Sequence, residues 1–107
     1  MDHHLFYVRF SGDNPHSEPW RELEEHLRHF NQRPEALDEY SWFVISPRPA
    51  TEVIPELENW LDTKRAEVTV VEVTNANRDN FPGKAALIEG LTAHKPFPNL
   101  MPRVSVP

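Results

Sequence analysis

Apolar periodicity that shifts from two to about 3.6 and back, twice along the chain, predicts an α/β (α+β) fold of ferredoxin-like type. The expected architecture is a β-α-β-β-α-β sandwich with a short C-terminal helix and a proline-rich tail. Three observations carry this expectation. Leu5 to Phe10 alternates as a strand requires; Trp20, Leu23, Leu27 and Phe30 recur at spacings of three and four; Glu67 to Thr74 is dense in valine. A chain of 107 residues holds one core of ordinary size, so residues 1–93 are expected as the domain and 94–107 as the tail.

The elements follow in order. Phe6, Val8 and Phe10 fall on one side of the first strand and Leu5, Tyr7 and Arg9 on the other. The turn formers Ser11 to Pro15 end it, and Ser17 with Pro19 starts a helix running to about Phe30. Asn31 and Pro34 stop that helix. Glu35 to Glu39 can supply a weak strand, and Tyr40 to Ile45 reads as a mostly buried one, ended by Pro47 and Pro49. A second helix from about Thr51 takes Pro55 near its first turn and buries Ile54, Leu57 and Leu61, with Val53 and Trp60 at the margin. After the valine strand, Pro82 opens a short helix burying Leu87, Ile88 and Leu91. Prolines 96, 98, 102 and 107 bar regular structure from the tail, whose apolar residues include Phe97 and Leu100.

Composition excludes several functions. Without cysteine there are no disulfides, thiolate metal sites or cysteine nucleophiles, which agrees with a reducing compartment. No stretch approaches the ~18 apolar residues of a membrane span, and Met1-Asp2-His3-His4 is no signal peptide, so a cytoplasmic protein without membrane contact is expected. A net charge of −6 repels phosphate, and Arg28, Arg33, Arg48, Lys64, Arg65 and Arg103 are scattered. With only three glycines there is no phosphate-cradling loop.

Two helices can cover only one sheet face. The other is expected to gather Leu5, Tyr7, Tyr40, Trp42, Val68 and Val70, an apolar surface that water does not tolerate. These six are the candidate interaction residues, for a homodimer or another protein partner; the alternative is that the tail folds over them.

The strings Leu5-Phe6-Tyr7-Val8-Arg9-Phe10, Leu37-Asp38-Glu39-Tyr40-Ser41-Trp42-Phe43-Val44, Trp60-Leu61-Asp62, Val70-Val71-Glu72-Val73-Thr74 and Phe81-Pro82-Gly83-Lys84 resemble the small CRISPR-associated protein two family, and more closely its SinR-like relatives. The resemblance spans roughly residues 5 to 91. It implies a ferredoxin-like homodimer and, for some members, a metal-dependent nuclease using an aspartate at the end of the first strand. Here Ser11 takes that place, and a hydroxyl does not replace a carboxylate as a ligand for a hard metal. The nearest carboxylate in the chain is Asp13, with His16 close by; these are the catalytic candidates, with magnesium or a similar divalent ion, if the protein cleaves RNA or DNA.

Other clusters have simpler readings. Glu22, His26 and His29 share one side of the first helix, away from its apolar stripe, and read as solvated. His3 and His4 sit at a terminus and are expected to fray. Tyr40 and Trp42 read as buried aromatics, since the glycines of an RNA-binding sheet motif are missing. The acidic residues Glu22, Glu24, Glu25, Asp38, Glu39, Glu52, Glu56 and Glu58 read mainly as solvent faces. The sequence therefore points first to a non-catalytic interaction module, an adaptor or inhibitor with no cofactor and no metal ligand set, and second to a nuclease.

Overall fold

The computed structural model describes residues 2–12, 17–30, 34–60, 67–93 and 95–100, apart from the side chains of Phe30 and Trp60. The elements are β1 (His4–Ser11), α1 (Glu18–Phe30), β2 (Glu35–Ala36), β3 (Ser41–Ser46), α2 (Ala50–Trp60), β4 (Glu67–Glu72), a 3-10 turn (Arg78–Asn80) and α3 (Ala85–Thr92). The strands form one four-stranded sheet in the order β2-β3-β1-β4, antiparallel at each junction. The chain is thus an α+β fold with helices packed on an antiparallel sheet.

Central β1 sets the register. Val8 lies opposite Trp42 on β3 and Val70 on β4, while Tyr7 lies opposite Phe43 and Val71. Side chains alternate along a strand, so Phe6, Val8 and Phe10 share a face with Trp42, Val44, Val68 and Val70. That face carries the main core, closed by Trp20, Leu23 and Leu27 of α1 and Val53 and Leu57 of α2. Each fully buried aliphatic side chain there contributes about 1.5–3 kcal/mol relative to exposure. Trp20 also donates its indole Nε1–H to the Glu39 carbonyl at 2.7 Å and packs its ring on Trp42.

This register corrects the expected interaction set. Trp42, Val68 and Val70 belong to the helix-covered face, and Tyr40 packs against the same cluster. Only Leu5 and Tyr7 of the six lie on the opposite face, beside Phe43, Ile45 and Val73. Periodicity identifies which residues alternate, but the pairing phase decides which parity of β3 and β4 joins which parity of β1.

Several element boundaries also shift. The weak strand shrinks to Glu35–Ala36 because the chain reverses at once: the Tyr40 amide donates to Asp38 Oδ1 at 2.7 Å and the Leu37 amide to the Ser41 carbonyl at 2.9 Å. In α2 the buried pair is Val53 and Leu57, four apart, with Ile54 only partly buried; Leu61 lies outside the described residues. Ser17 precedes α1 as expected, but its carbonyl accepts from the Arg21 amide while its buried hydroxyl meets no hydrogen-bond partner among the described residues. Pro82 does not open α3. It occupies a turn closed by the Lys84 amide on the Phe81 carbonyl, in which Gly83 takes a φ of 75°, and the helix starts after it. At Gly12 a Cβ would stand 2.5 Å from Phe10 Cζ, so the backbone passes that buried ring only because no side chain intervenes.

Candidate functional site

The second sheet face divides into a covered end and an open end. At the covered end, Leu5, Phe43 and Val73 are fully buried beneath Ile88 of α3, Phe97 and Leu100. Phe81 adds its ring against Tyr7 at 5.1 Å and Phe43 at 5.8 Å between centroids. The described part of the proline-rich tail therefore lies over this face.

Segment 95–100 is shaped locally and pinned at its rims. The Leu100 amide donates to the Phe97 carbonyl, forming a tight turn with Pro98 and Asn99 at its centre that turns Phe97 and Leu100 to the core. The Pro96 carbonyl accepts from the His3 amide at 2.8 Å, and the Asn99 carbonyl accepts from the Asn75 amide at 2.9 Å. Asn99 Nδ2 donates to Glu72 Oε2 at 2.7 Å, and His4 Nδ1 lies 3.0 Å from the same oxygen. The expectation that His3 and His4 fray is corrected here. His4 belongs to β1 and is tied to β4, while His3 also sets its ring near Phe97 with centroids 6.0 Å apart.

At the open end β1 finishes in Ser11, exposed and opposite Glu67 on β4. Arg9 lies opposite Ser41 and Thr69 on the same face. Asp38 stands close by, and its carboxyl is held below its ordinary value of 3.8, first by the Tyr40 amide, then by hydrogen bonds from Ser41 and the charge of Arg9. The result is a small polar patch of hydroxyls, one guanidinium and two carboxyl side chains, Asp38 and Glu67. Asp13 and His16 lie outside the described residues, so their placement relative to Ser11 is not part of this geometry. Among the described residues no three histidine or carboxylate side chains converge as a metal site.

Of the two helix histidines, His29 is exposed as its spacing suggests, whereas His26 is less solvated. His26 is partly buried, 5.7 Å from His29 ring to ring. Burial lowers its pKa from 6.5; Glu56 opposes that shift, while His29 and Arg48 reinforce it. Arg48 itself bonds Glu56 at 2.7 Å and lies 3.6 Å from Glu52, an exposed network of small energetic weight.

Sequence reasoning did not single out Glu72 and Asn99, which join three distant segments. The available signals were a lone carboxylate interrupting a valine run and a Pro-Asn pair between two apolar residues. Among the described residues no helix is long and apolar enough to cross a membrane. Comparison of the chain with models of protein families, with curated proteins and with solved structures gives no match.

Proposed function

We propose that this chain is a non-catalytic protein-interaction module, an adaptor or inhibitor built on a ferredoxin-like domain related to the CRISPR-associated protein two family. The strand order β2-β3-β1-β4 within the series β-α-β-β-α-β supports the fold reading. The observation that carries the functional reading is the end of β1. Ser11 is exposed there, where the resemblance calls for an aspartate, and its neighbour across the ladder is Glu67. A hydroxyl brings no charge to a magnesium ion, so the metal step of the nuclease relatives has lost its anchoring ligand. Docking to a second copy or to another protein is the activity that this fold retains without that ligand.

The test is incubation of the wild type and Asp13→Ala with single- and double-stranded RNA and DNA, with magnesium or manganese. No cleavage by either protein is expected. Metal-dependent cleavage that disappears in Asp13→Ala would replace this reading with the nuclease one, with Asp13 and His16 as its residues. Sedimentation of the full chain over a range of concentrations tests for the homodimer.

A further inference from the structure

Resting on the interaction-module reading and deepening it, we infer that the groove under segment 95–100 is a peptide-docking site occupied in cis by the chain's own Phe97-Pro98-Asn99-Leu100 turn. The partner it fits is a segment of another protein carrying the same chemistry: an aromatic residue, a Pro-Asn turn and an aliphatic residue three positions on.

The seated element has the properties of a ligand. Its shape is local, since Pro98 presets the turn that the Leu100 amide closes on the Phe97 carbonyl, which lowers the cost of ordering a short peptide of the same sequence. It presents two apolar anchors, Phe97 and Leu100, 6% and 5% exposed, to a floor that is itself fully buried. Recognition is completed by main-chain and side-chain polar groups outside the segment: the His3 amide for one carbonyl, the Asn75 amide for another, and the Glu72 carboxylate for the asparagine amide. Apolar anchors in pockets with backbone hydrogen bonds at the rim are the pattern by which domains read extended or turn-forming peptides.

The full-length chain is titrated with a fluorescein-labelled peptide Lys-Pro-Phe-Pro-Asn-Leu and followed by anisotropy. In the wild type the tethered turn competes at an effective concentration on the order of millimolar and suppresses binding. Full-length Phe97→Ala/Leu100→Ala is expected to bind the peptide at least about tenfold more tightly than wild type. A peptide with alanine for phenylalanine binds neither. Equal affinity for both chains, or no binding to the folded double variant, overturns the inference. Full-length Asn99→Ala, which keeps both anchors, is expected to speed hydrogen exchange at the His3 and Asn75 amides and to raise peptide affinity; unchanged exchange and affinity overturn it too. If both variants lose cooperative unfolding, the segment is an integral part of the core and the inference falls. Cleavage of nucleic acid would sink the interaction-module reading without changing this titration, and a failed titration leaves docking through other surfaces standing.

Discussion

The two faces of the sheet are both apolar, yet they are closed by different physics. On one, α1 and α2 supply Trp20, Leu23, Leu27, Val53 and Leu57 from backbones whose hydrogen bonds lie largely within each helix. On the other, α3, Phe81 and segment 95–100 form a patchwork. Beyond the Phe97 carbonyl, which its own turn satisfies, the segment's Pro96 and Asn99 carbonyls accept from the His3 and Asn75 amides outside it. A helix brings its own polar satisfaction to a core, whereas an irregular segment must borrow it, so stability of the second face depends on polar residues at its rim.

That contrast can be broken or sharpened by substitution. Leu23→Ala, inside the helix-covered core, is expected to cost the most, about 2–5 kcal/mol, read as a lower midpoint in urea. Leu100→Ala should cost less, about 1–2 kcal/mol, because an irregular segment at the rim settles into the space more readily than two packed helices do. An equal or larger loss at Leu100 would erase the distinction between the faces. Asn99→Ala removes the hydrogen bond to Glu72 and is expected to cost about 1 kcal/mol or less, with local loosening seen by hydrogen exchange at His3 and Asn75 but not in α1.

The smallest expected effect is one of pH on the helix side. His26 has a folded-state pKa below 6.5, so the unfolded chain binds more protons in the window beneath that value. Stability contributed by neutral His26 is therefore fully present above about 6.5 and declines as pH falls toward and through its lowered pKa. A urea midpoint that drops between pH 7.5 and 5, with a smaller drop in His26→Gln, is the outcome to look for. Asp38 acts in a lower window, its contribution being lost as pH falls below about 4.

How much of this was legible in the sequence follows from the range of the interactions. Trp20, Leu23 and Leu27 of the α1 stripe and the valine alternation of β4 depend on neighbours three, four or two residues away, and they are found where periodicity puts them. The face assigned to Tyr40, Trp42, Val68 and Val70 depended on pairing phase, which no single strand encodes. His4 looked like a fraying end because its partner, Glu72, is 68 residues away. The prolines of the tail do exclude helix and central strand, but they say nothing about whether Phe97 and Leu100 find a seat. For the candidate site, Ser11 at the end of β1 was readable directly from the string after Phe10, whereas the Glu72 and Asn99 junction required the folded chain.

Asn77 has a consequence for the limits of the sheet itself. Its Oδ1 accepts from the Thr74 amide at 2.8 Å and its Nδ2 donates to the Glu72 carbonyl at 2.9 Å. One side chain thus imitates, at the C-terminal end of edge strand β4, the donor and acceptor that a neighbouring strand would offer. An unpaired edge rich in valine is a template for uncontrolled addition of further chains. By occupying those groups, Asn77 caps the ladder where β4 ends and works against open-ended growth into aggregates.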